Sequence, residues 1–214
     1  MARKLIFFSL VFILIGGGFF YWWTTQKDVR ELNKTLPDGI RITKSLIGND
    51  YGVVNKIDGY EFKVPKELHE PESVIYKNIV DDSELGYLSE MNKILQEVIF
   101  SEGVLGLQTK EQGVIEVRTF KVSDINLNSF IEKFSYLAFK SYESAKTFEV
   151  SPKIEEITTS QVNISKLCGT AKSYYGSEFT LSPTYYFFTK SSNVYLVVHD
   201  DDELIKKIIL NGKW

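Results

Sequence analysis

An uninterrupted apolar stretch at residues 5–23 constrains this chain more than any other feature. It reads LIFFSLVFILIGGGFFYWW and contains no charged residue. As an α-helix rising about 1.5 Å per residue it spans roughly 28 Å, close to the roughly 30 Å hydrocarbon core of a bilayer. The stretch predicts a single transmembrane helix that binds the lipid bilayer through residues including Leu5, Ile15, Gly17, Trp22 and Trp23.

Three interpretations of this stretch remain open. In an uncleaved signal anchor, the aromatic residues 21–23 lie at headgroup level, which amphipathic rings prefer. In a cleaved secretory signal, residues 5–15 form the apolar region and the glycines at 16–18 precede the cut. Such a cut would leave an apolar new N-terminus, so the signal anchor is favoured. The third interpretation, a buried core helix, is disfavoured because nothing polar breaks the stretch, and a lipoprotein anchor is excluded because the stretch contains no Cys.

The flanking charges bear on orientation. Arg3 and Lys4 precede the apolar stretch, and residues 27–34 contain three basic residues, so the count of basic residues alone does not decide. Only the N-terminal charges lie directly beside the stretch. We therefore expect residues 1–4 to form a short cytoplasmic tail and the rest of a single-pass protein of the cell membrane to lie outside the cytoplasm.

Beyond the anchor, composition bounds the rest of the chain. Residues 24–39 predict a polar stalk, or a continuation of the anchor helix, and residues 40–214 are enough for one domain with a substantial core. The net charge is −3, with acidic and basic residues interspersed, so nucleic acid is not an expected partner. Cys168 is the only cysteine, which excludes an intrachain disulfide and a thiolate metal cluster.

The first half of the domain predicts a mixture of strands and helices. Asp58 and Gly59 lie between two β-prone runs, which predicts a hairpin over residues 51–65. Apolar residues at helical spacing predict a helix at 83–100, although its tail at 94–100 also suits a strand. The same spacing predicts a helix at 127–142, capped by Asn126 or Asn128. Further strands are predicted at residues 72–80, 104–108 and 114–122.

The last third predicts mostly β-structure, with strands at 154–164, 166–175, 181–189 and 193–199. The runs at 185–188 and 194–198 are almost continuously apolar, as in central strands covered on both faces. Acidic residues at 200–203 predict the start of a final helix whose buried side consists of Leu204, Ile205, Ile208 and Ile209.

Four segments together carry a family resemblance. They are GYEFKVP (59–65), NSFIEKF (128–134), VNISKLCGTAKSYY (162–175) and YYFFTKSSNVYLVVHDDDELIKKII (185–209). The sequence resembles the PsbP-like proteins, named for the extrinsic protein of the photosystem II oxygen-evolving complex. The resemblance implies an α+β fold, an antiparallel β-sheet flanked by helices in an α/β/α sandwich. It implies little about function, since members include membrane-associated accessory proteins, and it places no metal ligand here. The segment 83–100 departs from the pattern.

Three places offer catalytic or metal-binding side chains, each with a simpler interpretation. His199 precedes three aspartates, which suits a general base or a metal site, but helix capping also explains the aspartates. His69 lies among glutamates in a polar loop, which solvation alone explains. Cys168 adjoins a glycine within a predicted strand, as a small buried residue does. We therefore predict no catalytic, cofactor-binding or metal-binding residue, and no cofactor.

The function favoured by these features is that of a non-catalytic, membrane-tethered domain that binds a protein partner in the cell envelope or stabilises a membrane assembly. The alternative is a small-ligand or metal-binding domain, or a hydrolase, with a pocket near His199, Asp200 and Asp201.

Overall fold

A computed structural model describes residues 2–45, 50–64, 71–78, 102–109, 113–121, 126–144, 148–159, 161–173 and 175–214. Within the first helix, side chains are described from Val11 onward. The predicted helix at 83–100 and the loop with His69 lie outside the described residues.

Four helices occur in the described part of the chain: α1 (Ala2–Thr25), α2 (Lys27–Asn33), α3 (Leu127–Ser144) and α4 (Asp202–Asn211). Among the described residues, no helix combines the length and the apolar character needed to cross a membrane. The transmembrane anchor at residues 5–23 therefore stays a prediction.

A small antiparallel sheet is formed by β1 (Ile40–Lys44), β2 (Tyr51–Asn55) and β3 (Tyr60–Val64), in that order. The predicted hairpin is confirmed, since β2 and β3 pair from Tyr51 opposite Val64 to Asn55 opposite Tyr60. Gly59 closes its turn with φ of +80°, a conformation that glycine adopts without steric cost. Strand β1 was not predicted.

A larger antiparallel sheet contains β4 (Pro71–Asn78), β5 (Glu102–Thr109), β6 (Gly113–Lys121), β7 (Phe148–Thr158), β8 (Asn163–Ser173), β9 (Glu178–Lys190) and β10 (Asn193–Val198). Its order is β4-β5-β6-β10-β9-β8-β7, so the fold is α+β with two antiparallel sheets. The predicted strand at 154–164 is wrong in its bounds. The Thr159 hydroxyl accepts a hydrogen bond from the Val162 N–H (3.0 Å) and turns the chain between β7 and β8.

Strands β9 and β10 lie in the middle of the large sheet and are covered on both faces, as their apolar runs predicted. Tyr186 and Phe188 face the core shared with the small sheet and α4, whereas Phe187 and Leu196 face α3. All four side chains are fully buried, at 0% exposure. The large sheet is therefore a central layer between the small sheet with α4 on one face and α3 on the other.

Helix α3 confirms the predicted aromatic helix and covers one face of the large sheet. Asn126 is the capping residue, because its Oδ1 accepts a hydrogen bond from the Asn128 N–H (3.0 Å). Phe130 and Phe134 contact Phe187 edge to face, with ring centroids 6.0 and 5.1 Å apart. These aromatic contacts fix the helix over the middle of the sheet.

Helix α4 is capped as predicted, and its four predicted apolar residues are all buried. The carboxylate of Asp201 accepts hydrogen bonds from the N–H groups of Glu203 and Leu204, both at 3.0 Å. After the helix, Lys213 pairs with Glu61 of β3 through the backbone, and the Trp214 ring packs on Phe188 (4.9 Å). The C-terminal residues thereby join the small sheet to the large one.

Helix α2 packs against β1 and β4 and covers the outer edge of β1. The Asn33 side chain pairs with the backbone of Ile42, accepting from its N–H (2.8 Å) and donating to its carbonyl (2.9 Å). Val29 is 4% exposed and belongs to the core. Part of the segment predicted as a stalk is thus docked on the domain, where it satisfies a strand edge that would otherwise be open.

Candidate functional site

Most of the described side chains of α1 are apolar and exposed. Phe12 and Ile15 are 81% and 67% exposed, and Trp22 and Trp23 remain 41% and 49% exposed at the helix end. A Cβ added at Gly17 would meet no atom within 4 Å. Of the five predicted anchor residues, Ile15, Gly17, Trp22 and Trp23 therefore lie on an uncovered helix, and the side chain of Leu5 lies outside the described residues.

One residue, Gln26, separates α1 from α2. Its N–H donates to the Trp22 carbonyl (3.1 Å) and its carbonyl accepts from the Arg30 N–H (3.0 Å), so helical hydrogen bonding continues on both sides of the joint. The Gln26 side-chain amide also donates to the Lys44 carbonyl on β1 (3.2 Å). The joint is therefore fastened to the domain.

Arg30 contacts the end of α1 in two ways. Its guanidinium lies over the Trp23 ring, with Cζ 3.7 Å from the ring centroid, and its Nη2 donates to the Trp23 carbonyl (2.8 Å). A cation over an indole face and a hydrogen bond to a terminal helix carbonyl are both favourable. Nη1 of Arg30 is buried and has no hydrogen-bond partner among the described residues.

A half-buried ion pair fastens α2 to β1. Lys44 donates to the Asp28 carboxylate (2.9 Å), and the Tyr51 hydroxyl lies 3.4 Å from the same oxygen. Burial acts to raise the pKa of Asp28, but the hydrogen bonds from Lys44, the backbone and Tyr51, together with the charge of Lys44, outweigh it and hold that pKa below its ordinary value. The pair therefore favours the ionised carboxylate at neutral pH.

A basic groove opens beside α2. It is a cavity of about 640 Å³ between α2, the turn at 34–39 and the outer face of β1 and β2. We use the name basic groove for this cavity, whose charged residues are Arg30, Lys34, Asp38, Arg41 and Lys56. Four cations against one carboxylate make it a local exception in a chain of net charge −3. Lys34 also pairs with Glu31 (2.7 Å), so Arg41 and Lys56 are the exposed cations without a described ion-pair partner.

The predicted pocket residues near His199 are engaged in structural contacts. His199 is 7% exposed, and its Nδ1 accepts a hydrogen bond from the Asp201 N–H (3.0 Å). The Asp200 carboxylate accepts from the Ser182 hydroxyl (2.6 Å) and from the Thr184 N–H (3.2 Å). Asp201 caps α4, so these side chains stabilise the start of that helix. None of them lines the basic groove.

Asp202 ties the start of α4 to the large sheet. Its carboxylate accepts from Lys166 Nζ (2.7 Å) and from the Tyr186 hydroxyl. Burial acts to raise the pKa of Asp202, but the hydrogen bonds from Lys166 and Tyr186 outweigh it and leave the pKa below its ordinary value. A carboxyl with a lowered pKa stabilises the folded state above its unfolded pKa and loses that contribution as pH falls.

We expect Asp202→Asn to lower the free energy of unfolding at pH 7 by at most about 1 kcal/mol, because the Asp202 side chain is 39% exposed and solvent screens the pair. The difference from wild type should persist down to about pH 5 and shrink below about pH 4, where the unfolded carboxyl also binds its proton. Urea unfolding at pH 7, 5 and 3 measures it. An unchanged difference at pH 3 would contradict this assignment.

The two remaining candidates are Cys168 and His69. Cys168 lies half-buried on β8, and its Sγ donates to the Lys153 carbonyl (3.7 Å) on the neighbouring strand. His69 lies outside the described residues. Among the residues that are described, no three His, Cys, Asp or Glu side chains come together to hold a metal ion.

Sequence reasoning missed a buried polar cluster around Asp58. The Asp58 side chain is 8% exposed, accepts from Asn55 Nδ2 (2.8 Å), and fits over Gly103 on β5. Burial, together with the nearby Asp58 charge, raises the pKa of Tyr76. The hydroxyls of Tyr60, Tyr76 and Thr119 are buried without a partner at hydrogen-bond geometry in the described chain. Ordered water satisfies groups of this kind. The only sequence signal was a turn motif, which equally predicts an exposed loop.

Comparison of the sequence with protein-family models gives no match, and comparison with curated proteins gives none either.

Proposed function

We propose that this chain is a single-pass membrane protein of the cell membrane, whose extracytoplasmic domain is a non-catalytic binding or assembly module. The observation that carries the proposal is that the apolar side chains of α1 are exposed along the helix. The folded domain begins directly after this helix. Large apolar side chains on one continuous exposed surface mark a site that another apolar phase or partner covers.

The apolar stretch at residues 5–23 supports a bilayer as that phase. At about 1.5 Å per residue, its nineteen residues correspond to roughly 28 Å as a helix, close to a hydrocarbon core of about 30 Å. Trp22 and Trp23 at its end suit the headgroup region. Arg3 and Lys4 beside its start support a cytoplasmic N-terminus.

The layers of the domain support the finer proposal of a PsbP-like sandwich. Helices lie on both faces of an antiparallel sheet, α3 on one and α4 on the other, as that resemblance implies. The small sheet packs beside α4 on the same face. The resemblance points to an accessory role, and we propose a protein of the cell envelope as the partner.

Membrane extraction of paired variants tests the anchor. Phe12 and Ile15 are exposed, so changing both leaves the domain untouched. Each lysine near the middle of a membrane helix costs about 2.5–3.5 kcal/mol. We expect the full chain to resist carbonate extraction, the variant Phe12→Lys with Ile15→Lys to become extractable, and the control Phe12→Leu with Ile15→Leu to behave as wild type.

Two results would overturn the proposal. If carbonate extracted the wild-type chain from membranes, α1 would not be a membrane anchor. If a C-terminal tag were protected from protease added outside the cytoplasmic membrane, the domain would lie on the cytoplasmic side instead. The binding role has its own measurement, since cross-linking in intact cells should give one reproducible adduct, and recovery of none would exclude a stable partner.

A further inference from the structure

The basic groove lies against the end of α1. Arg30 belongs to the wall of the groove and also stacks on Trp23, the last large aromatic residue of that helix. With Trp23 at headgroup level, the Arg30 guanidinium lies at that same depth, since its Cζ is 3.7 Å from the ring. The groove therefore opens where lipid phosphates lie.

Two of the four cations of the groove have no neutralising partner in the described part of the chain. Arg41 and Lys56 are exposed, and within the described residues neither forms an ion pair. Nη1 of Arg30 is buried without a hydrogen-bond partner in that same part of the chain. Buried donors are normally satisfied, so this guanidinium N–H beside a cationic cavity retains hydrogen-bonding capacity for a water molecule or an anionic acceptor.

The size and lining of the groove suit a polar headgroup. A cavity of about 640 Å³ falls within the ordinary range for small-ligand sites, and its neutral wall is formed by Leu36, Pro37, Ile40 and Val54. Guanidinium and ammonium groups at such a wall bind phosphate oxygens through charge-assisted hydrogen bonds. A phosphate is favoured over a carboxylate because it offers more acceptor oxygens to cations that come from separate elements.

We propose that the basic groove binds a phosphate group, supplied by an anionic lipid headgroup at the membrane surface. This inference deepens the proposed function and rests on it for the source of the phosphate. The headgroup would hold the domain down against the bilayer in addition to the anchor. A soluble phosphate ligand presents the same chemistry, and the experiment separates the two sources.

The experiment measures binding to the full-length protein in an uncharged detergent, so its outcome does not depend on whether α1 anchors the chain in cells. The probes are short-chain phosphatidylglycerol, phosphatidylcholine of the same chain length, and inorganic phosphate. The variant is Arg41→Gln with Lys56→Gln, both exposed positions. The control is Lys172→Gln, an exposed lysine on β8. Strand β8 lies near the opposite edge of the large sheet from β4, the strand of that sheet that α2 contacts.

Phosphatidylglycerol should raise the melting temperature of the wild type and of the control, and bind the double variant at least tenfold more weakly. Binding of inorganic phosphate with the same loss, and no stronger binding of the lipid, supports the groove with a soluble phosphate as its ligand. Equal binding of both lipids, binding that the double variant retains, or no binding of any probe overturns the proposal. Carbonate extraction of the double variant should match wild type, which separates this failure from failure of the anchor.

Discussion

Replacing Phe187 with alanine is expected to lower the free energy of unfolding by about 3–5 kcal/mol. Phe187 is 0% exposed on the central strand β9 and contacts Phe130 and Phe134 of α3. Truncation would leave a cavity under the helix and remove both edge-to-face contacts. Urea unfolding of the full chain in mild detergent, followed by near-ultraviolet circular dichroism, measures the loss.

Phe179→Ala is the matched control, because Phe179 lies on the same strand but is 43% exposed. It should cost less than about 1 kcal/mol. Similar losses for the two variants would show that α3 does not depend on the contact with Phe187.

The second large effect is expected for Gly103→Ala on β5. A Cβ at Gly103 would lie 2.6 Å from Cγ of Asp58, well inside van der Waals contact. The carboxylate would have to leave its buried position and its hydrogen bond from Asn55 Nδ2. We expect a loss of about 2–3 kcal/mol in the free energy of unfolding, measured in the same way.

Gly106→Ala on the same strand is its control, because the nearest atom there, Cγ1 of Val114, lies 3.9 Å away. That change should be close to neutral. A double variant that adds Asp58→Gly removes the clash, so its cost should be smaller than the sum of the two single costs. Additive costs would show that Gly103 and Asp58 do not limit each other.

Local patterns predicted the interior of the large sheet well. The apolar runs around Phe187 and Leu196 identified the central strands, because only a strand buried on both faces lacks polar alternation. The four buried residues of α4 and the cap at Asp201 followed from helical spacing and capping chemistry. Both features are set by neighbours within one element, which sequence periodicity records.

Features that depend on distant segments escaped prediction. Strand β7 begins at Phe148, before the predicted start, and passes through Pro152, a residue that disfavours central strands but is tolerated on this edge strand. Strand β1 was missed, although Ile40 and Ile42 alternate with polar residues. Sequence pattern shows that a segment is extended, and pairing across the chain decides which sheet it joins.

The candidate site was even less accessible to sequence reasoning. The cations of the basic groove come from α2, the turn after it, β1 and the turn after β2, and each alone is an ordinary surface charge. The His199 segment attracted attention because its acidic residues are consecutive, yet they serve the start of a helix. The groove cations are spread along the sequence and meet in space, whereas the acidic residues after His199 are adjacent in sequence and cap a helix.

The joint at Gln26 makes the domain a lever. A free tether of about 16 residues would let it wander roughly 20 Å and face in any direction. With the joint bonded to Lys44 and clasped by Arg30, the domain instead rotates with the helix. If α1 spans a bilayer as proposed, a change of about 20° in helix tilt moves a point roughly 40 Å out by about 14 Å. Bilayer thickness, which influences that tilt together with helix packing and interfacial anchors, would then bias which side of the domain meets its neighbours.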